Sequence, residues 1–271
     1  MAAAASVVAM VVAGFVLRPS DDPGQSAQAK AETRRFVLIL AHAFDQSESA
    51  RFDVEVAART EALTSACMAS HHLRYTPKDP RSVVDVEDAS DFSSSDYARE
   101  RGFGISVFPH FAPATADDAY LKSLSTADLK TYDARLSGCF DHAQRTTNRE
   151  YGIAQANAEW ARIDDAVQHD PRYRSALGEW RACAAAAGHP AESRLSLIDA
   201  LRKDYTSVMT DVRGGGPALP QDRLAAQAAR SPGWQRFHQA EVDAATATFG
   251  CSQVTDRTYV SIFLEYLDRN G

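Results

Sequence analysis

Four cysteines constrain the fold of this chain more than any other feature of its sequence: Cys67, Cys139, Cys183 and Cys251. They can form two disulfides in three different pairings, and the cysteine count does not select one of them. A disulfide that closes a loop of about 70 residues stabilises a fold by about 4 kcal/mol, because it restricts the unfolded chain. Since a whole domain is stable by only about 5–15 kcal/mol, the loss of one such bridge should be severe.

The two halves of the sequence resemble each other around these cysteines. Residues 67–72, with the sequence CMASHH, align with residues 183–188, with the sequence CAAAAG, and a proline follows each segment. The Gly-Cys pair at 138–139 aligns with the pair at 250–251, and the two separations, 72 and 68 residues, are similar. This internal similarity favours pairing the first cysteine with the second and the third with the fourth. The alternative is chance similarity in an alanine-rich helical chain.

Apolar residues recur at helical spacing along most of the chain, and no stretch shows the sustained alternation that is typical of a half-buried strand. Several positions match helix starts, namely Ser125 with Asp128 three residues later, and Asp170 before Pro171. Gly188 stands where the left-handed end of a helix is expected. The pattern predicts an all-α fold, an irregular multi-helix bundle.

Within this bundle we predict two similar disulfide-linked halves, residues 30–150 and residues 151–271. The first half contains the first two cysteines, and the second half contains the last two. We also expect two separate helices near the end of the chain, over residues 231–249 and 254–267, the first of them capped by Ser231.

The N-terminal residues have the features of an export signal. Residues 2–17 form an uncharged run rich in alanine and valine, which as a helix would span about 24 Å at about 1.5 Å per residue. Because the hydrocarbon core of a membrane is about 30 Å thick, this run suits a signal peptide better than a membrane-spanning helix. Ala27-Gln28-Ala29 matches an A-x-A cleavage site. We therefore expect residues 1–29 to be a signal peptide or an N-terminal anchor.

Two details of this segment leave the choice between signal and anchor open. No Lys or Arg precedes the apolar run, and the cleavage site lies well beyond its end at Leu17. An uncleaved anchor explains both details, whereas a buried alanine-rich helix is the alternative to export. In either exported form the protein would be secreted or held on the outer side of the cytoplasmic membrane.

The chain carries a formal net charge of −7 at neutral pH, and its Lys and Arg residues are scattered. It lacks the basic stripe with interleaved aromatic side chains that nucleic-acid-binding domains use. It has no electrostatic reason to bind an anionic bilayer either. We therefore expect no nucleic-acid partner, and membrane contact only through the N-terminal segment if that segment is not cleaved.

The sequence lacks the short motifs of several common enzyme classes. H-E-x-x-H, G-x-S-x-G and S-x-x-K do not occur, and the glycines at 214–216 are not followed by the Lys and Ser/Thr of a phosphate loop. The eight histidines are dispersed, so no catalytic residue can be selected from them. We expect no cofactor, and a protein that acts without catalysis is favoured over an enzyme.

A metal site is the rival interpretation of the cysteines, because His71 and His72 follow Cys67 closely. Zinc sites usually contain a tight C-x₂₋₄-C or H-x₃₋₅-H pair, and this sequence has no C-x-x-C. In an oxidising compartment paired cysteines normally form disulfides. We therefore expect structural bridges and no metal.

An acidic loop supplies the other candidates for a ligand site: Asp85, Glu87, Asp88 and Asp91. Carboxylates at this density could hold calcium, but the spacing of an EF-hand and its glycine are missing. A solvated acidic loop is the favoured interpretation. These residues, together with His71 and His72, are weak ligand-site candidates.

Several short motifs lie around the cysteines: Cys67-Met68 with Tyr75, Arg101-Gly102-Phe103-Gly104-Ile105, Leu136-x-Gly138-Cys139, Trp180-x-x-Cys183 with Gly188, and Cys251. Through these motifs the chain resembles a set of largely uncharacterised, secreted or membrane-anchored, four-cysteine helical proteins of actinobacteria. The resemblance implies an extracytoplasmic helical protein, and some members are associated with cell-envelope transport systems. The chain departs from the family pattern at three places: His72-Leu73 in place of Gly-Phe, Ala184 in place of Met, and Thr248 in place of Asp.

Three functions are consistent with these features. An extracytoplasmic cell-envelope protein that binds a partner without catalysis would expose an apolar patch. A secreted hydrolase, with a site not recognisable from sequence, would hold a histidine or carboxylate with a shifted pKa in a cleft. A small-molecule-binding helical module would enclose a mainly apolar cavity. The first function is favoured, with an envelope protein as the partner.

Overall fold

The computed structural model of the protein describes residues 27–43, 46–80, 94–108, 117–214 and 221–270. These residues form ten α-helices and no strand, and 83% of them are helical. The all-α prediction is therefore confirmed. In chain order the helices are α1 (Ala27–Leu40), α2 (Gln46–Ser70), α3 (Ser95–Arg101), α4 (Asp118–Ser123), α5 (Thr126–Glu150), α6 (Ile153–His169), α7 (Pro171–Ala186), α8 (Arg194–Arg213), α9 (Gln221–Ala229) and α10 (Pro232–Asn270).

Two of the helices begin where the sequence predicts. At the start of α5, the hydroxyl of Ser125 accepts a hydrogen bond from the N–H of Asp128. At the start of α7, the carboxylate of Asp170 accepts one from the N–H of Arg172, and Pro171 occupies the first helical position. These caps depend only on neighbouring residues, so the sequence alone is sufficient to find them.

Two pairs of helices carry the two disulfides. α2 packs along α5, and α7 packs along α10. Cys67 of α2 is bonded to Cys139 of α5 with their Cα atoms 5.6 Å apart, and no cysteine is left free. Cys183 of α7 is bonded to Cys251 of α10 with their Cα atoms 5.7 Å apart. The pairing that the internal similarity favours is confirmed.

Helices α2 and α7 also end in the same way, just after their cysteines. At each end two backbone N–H groups beyond the last turn donate to carbonyls within it, the pattern of a Schellman motif. The bonds run from His72 to Ala69 and from Leu73 to Met68 in α2, and from Gly188 to Ala185 and from His189 to Ala184 in α7. The sequence similarity that follows Cys67 and Cys183 therefore reflects the same local structure at the two helix ends.

The remaining helices join these pairs into one packed bundle. α1 lies on α6, α3 lies on α10, and α8 contacts both α9 and α10. Val37 of α1 shares a core with Ile163 of α6 and Phe263 of α10. Two helices that precede residue 150 thus pack against helices that follow it, and the division into halves at that residue stays a prediction.

The C-terminal helix differs from the prediction. Residues 231–249 and 254–267 are predicted as two helices, but α10 runs for 39 residues without a break. Gly250 lies in its interior, where glycine destabilises a helix by about 1 kcal/mol relative to alanine. α10 packs against five other helices, and the burial of its apolar side chains outweighs this local effect. The predicted break was wrong because periodicity reports local preference and not tertiary packing.

The predicted export signal is described only from Ala27 onward. Ala27-Gln28-Ala29 forms the first turn of α1, and residues 1–26 lie outside the described part of the chain. Further along α1, Val37 is fully buried, as is Ala41 just after the helix. No helix within the described ranges has both the length and the apolar character needed to cross a membrane.

Removing either bridge should destabilise the protein strongly. We expect Cys67→Ser/Cys139→Ser and Cys183→Ser/Cys251→Ser each to lower the free energy of unfolding by about 4 kcal/mol, because each bridge closes a loop of about 70 residues. Urea unfolding followed by circular dichroism measures the loss, with the wild type in a phosphine reductant as the control. A loss below about 1 kcal/mol in either variant would contradict a stabilising role for that bridge.

His72 and Gly188 occupy equivalent positions at the two helix ends and share a left-handed backbone, with φ of 59° and 84°. A side chain in this conformation is strained by about 1–2 kcal/mol, and glycine avoids the strain. His72→Gly should therefore raise the free energy of unfolding by about 1 kcal/mol, whereas Gly188→Ala should lower it by a similar amount. Urea unfolding of both variants tests the opposite signs, and a change of the same sign in both would refute the explanation.

Candidate functional site

The segment that follows α3, residues 102–106, wraps around a single carboxylate on α10. Gly102 ends α3 with φ of 65°, and Gly104 has φ of 75°. Both are left-handed conformations that glycine adopts without strain. They turn several backbone N–H groups of the segment toward one point, a concave arrangement that binds anions. The carboxylate of Glu241 lies at that point.

Glu241 is fully buried, and its carboxylate accepts hydrogen bonds on both oxygens. Oε1 accepts from the N–H of Phe103 at 2.9 Å and of Ile105 at 2.7 Å. Oε2 accepts from the N–H of Ser106 at 3.0 Å and from its hydroxyl at 2.6 Å. Burying an unpaired charge would cost several kcal/mol, but these donors replace the water that the carboxylate loses. The carboxylate therefore fixes the segment on α10.

The close approach of the segment to α10 explains why residue 102 is a glycine. A Cβ atom added to Gly102 would lie 2.8 Å from Cγ of Glu241 and 3.1 Å from its backbone carbonyl carbon. Both distances are shorter than ordinary van der Waals contact, and the positive φ adds strain for any other residue. The Gly-Phe-Gly sequence is thus adapted to holding the carboxylate.

A serine and a histidine complete the cluster around Glu241. Oγ of Ser106 lies 2.7 Å from Nδ1 of His238, whose ring stacks on Trp234 with the ring centres 5.2 Å apart. Since the serine hydroxyl donates its one proton to Glu241, His238 donates from Nδ1 to the serine oxygen. In a catalytic triad the histidine lies between the serine and the carboxylate, whereas here the serine lies between the other two. Ser106 is also 1% exposed, so the trio holds the segment in place.

A small cleft lies beside the segment, between α3, α8 and α10. Its lining includes Tyr97, Phe103, Arg194 and Phe249, and its volume is about 20 Å³. That volume accommodates about one water molecule, whereas sites for drug-sized ligands measure about 300–1,000 Å³. This cleft does not match the enclosed apolar cavity that a small-molecule-binding module would need.

A second polar cluster lies near the end of α1. Arg194 at the start of α8 donates to Asp256 of α10 at 2.6 Å. The pKa of His42 is lowered, first because the surrounding protein removes water from its ring, and second because the charge of Arg194 disfavours its protonated form. Asp256, the carboxylate near enough to raise the pKa of His42, is already paired with Arg194.

The structure brings one of the predicted ligand residues to the cysteines. The ligand atoms of Cys67, Cys139 and His71 all lie within 4.8 Å of one another. The side chain of His72 is exposed and belongs to the turn that ends α2. The acidic candidates lie outside the described residues: Asp85, Glu87, Asp88 and Asp91.

The residues of the Glu241 cluster could not be chosen as a site from the sequence. Ser106 lies 132 residues before His238 and 135 residues before Glu241, so no local pattern connects them. Two signals do point to them. One is the Gly-Phe-Gly motif after α3, and the other is a glutamate placed among apolar residues of α10, between Phe237 and Ala244.

No protein-family model, curated protein or solved structure matches this chain. The resemblance to four-cysteine helical proteins of actinobacteria therefore stays a prediction that rests on short motifs. What the geometry defines is an all-α, disulfide-linked bundle in which a buried carboxylate anchors a glycine-rich segment.

Replacing the anchoring carboxylate should release the segment. Glu241→Gln turns one acceptor oxygen into an NH₂ donor that faces other donors, so we expect a loss of about 2–3 kcal/mol in unfolding free energy. Hydrogen exchange should show reduced protection at the amides of Phe103, Ile105 and Ser106. Glu179→Gln, on the exposed face of α7, is the matched control. Unchanged protection of the three amides in the Glu241 variant would disprove the anchoring role.

Proposed function

We propose that this chain is an extracytoplasmic cell-envelope protein that binds a protein partner through its helical surface and catalyses no reaction. The observation that carries the proposal is the pair of long-range disulfides, which uses all four cysteines. Disulfides persist in oxidising compartments and are rare in the cytosol, where thiols are kept reduced. They therefore support a location outside the reducing interior of the cell.

The N-terminal segment supports the finer location. Residues 1–29 carry the apolar run and the A-x-A sequence of a signal peptide or an anchor. Val37 of α1, eight residues beyond this segment, already belongs to a buried core. Secretion into the medium and attachment to the outer side of the cytoplasmic membrane are the two forms of this proposal.

The role of the buried carboxylates favours binding over catalysis. Glu241 is engaged by the 102–106 segment, as described above. Asp117 is 3% exposed and accepts hydrogen bonds from the N–H of Thr76 at 2.6 Å and from its hydroxyl at 2.9 Å. Both carboxylates hold irregular segments against helices. Carboxylates whose oxygens already accept these hydrogen bonds stabilise a surface and are not available to a substrate.

Three large apolar side chains are exposed among the described residues, and they are the positions at which a partner could bury apolar area. Leu195 of α8 is 68% exposed, Val254 of α10 is 46% exposed and Phe140 of α5 is 36% exposed. Phe140 is exposed although its neighbour Cys139 is buried, since adjacent residues point apart on a helix. Contiguous apolar patches mark protein contact sites, whereas single exposed apolar side chains are common, so these three positions are the ones to probe for a partner.

Site-specific cross-linking in intact cells tests the partner. A photo-reactive amino acid at Leu195, Val254 or Phe140 should give a discrete adduct with an envelope protein, identified by mass spectrometry. The same probe at Lys203, an exposed polar position of α8, is the matched control and should give no adduct. Leu195→Asp should weaken the adduct formed from Val254 if the two positions contact the same partner, because a charge opposes apolar burial.

Fractionation and thiol alkylation of the same cells test the location. The chain should be recovered from the envelope or the medium, with its four cysteines resistant to alkylation until a reductant is added. Cytosolic recovery with reactive thiols would contradict the location. Equal adduct formation at Lys203 and Leu195 would contradict a specific partner surface.

A further inference from the structure

Cys67, Cys139 and His71 present three ligand atoms that all lie within 4.8 Å of one another. We propose that these residues form a redox-gated site for a thiophilic divalent cation such as Zn²⁺. The site is closed while the disulfide is intact, and it forms when a dithiol reduces the bridge. Sulfur and imidazole nitrogen are the ligands that zinc prefers in proteins.

The position of His71 is set by the backbone at the end of α2. His71 directly follows the last residue of α2, four positions after Cys67, so the two side chains lie on the same side of the helix end. The N–H of His71 donates to the carbonyl of Met68 at 3.0 Å. The segment that follows is held independently, since Tyr75 donates to Glu61 at 2.6 Å. These contacts do not involve the disulfide, so they hold the histidine near the cysteines when the bridge opens.

The contact between α2 and α5 also has support besides the disulfide. Arg59 of α2 donates twice to the carboxylate of Glu150 of α5, at 2.7 and 2.8 Å. Thr60 and Thr147 share a buried hydrogen bond of 3.2 Å between their hydroxyls. Tyr132 of α5 is buried with 2% of its surface exposed. These contacts remain after reduction and act to hold the two helices together, against the loss of stability that opening the bridge brings.

Reduction of the disulfide and binding of the cation are two separate chemical steps. A dithiol transfers two electrons and two protons to the S–S bond and becomes a cyclic disulfide, while Cys67 and Cys139 become thiols. The cation then replaces one proton on each thiol, and the neutral ring of His71 contributes a nitrogen lone pair. Zn–S and Zn–N bonds of about 2.3 and 2.0 Å place tetrahedral ligand atoms roughly 3.5–3.8 Å apart. Because His71 is exposed, the fourth position is open to water.

The second bridge provides an internal comparison. The residue four positions after Cys183 is Ala187, which has no ligand atom in its side chain. Among the described residues, the group at Cys67 is the only set of three His, Cys, Asp or Glu side chains close enough to share a cation. Reduction of the Cys183–Cys251 bridge should therefore yield thiols without a comparable site.

A cobalt titration tests the proposal directly. The purified full-length chain is reduced with a phosphine, freed of it by anaerobic gel filtration, and titrated with Co²⁺. We expect one equivalent to bind, with thiolate-to-cobalt charge-transfer absorption in the near ultraviolet that Zn²⁺ removes by competition. The oxidised chain should show no such absorption, because its sulfur atoms are bonded to each other.

Four variants separate this site from the other thiols. His71→Ala should lower the Zn²⁺ affinity of the reduced chain at least about tenfold, whereas His72→Gly, its matched control, should leave it unchanged. Cys67→Ser/Cys139→Ser should lose the absorption although it keeps the other pair. Cys183→Ser/Cys251→Ser should retain the absorption.

Circular dichroism of the reduced chain shows whether the helices persist. Any one of three results would overturn the proposal: loss of helicity on reduction, no charge-transfer absorption in the reduced wild type, or equal Zn²⁺ affinity in His71→Ala and the wild type. The outcome does not depend on the envelope location or on the partner, so the two proposals can fail separately.

Discussion

The inward face of α10 is the constraint on which most of the other helices depend. That one helix receives a disulfide from α7, the carboxylate-anchored segment after α3, and an ion pair from the start of α8. Tyr259 donates to Asp164 of α6 at 2.7 Å, and the last turns of α10 share a core with α1. Because these contacts come from distant parts of the chain, the continuity of α10 through Gly250 sets the positions of all of them relative to one another.

Buried carboxylates also accept hydrogen bonds from backbone N–H groups that the irregular segments of this fold would otherwise leave unpaired. A segment without regular structure cannot satisfy its own N–H groups, and leaving them buried without partners is unfavourable. Glu241 satisfies three of them beside α3, and Asp117 satisfies one after α2. The charges are tolerated in the interior because the donors converge on them. The acidic side chains Glu241 and Asp117 therefore maintain the shape of the described interior.

The features that could be predicted from sequence depend on few and nearby residues. The caps at Ser125 and Asp170 and the stop at Gly188 lie within one turn of the groups they bond. The disulfide pairing could be predicted because the two helix pairs repeat the same local motif. The Glu241 cluster could not, since 135 residues separate its serine from its carboxylate. The proximity of His71 to Cys139 could not be predicted from sequence either, because it depends on how α2 packs against α5.

The disulfides and the short connections between helices together determine how the chain responds to proteases. A single cut between Cys67 and Cys139, or between Cys183 and Cys251, leaves two fragments still joined by a bridge. Between the outermost cysteines, only a cut in residues 139–183 divides the chain into pieces that no covalent bond connects. There α5, α6 and α7 follow one another with only Tyr151-Gly152 and Asp170 between them. Proteases prefer exposed, irregular loops, so the stretch that the bridges leave unprotected offers them almost no suitable backbone.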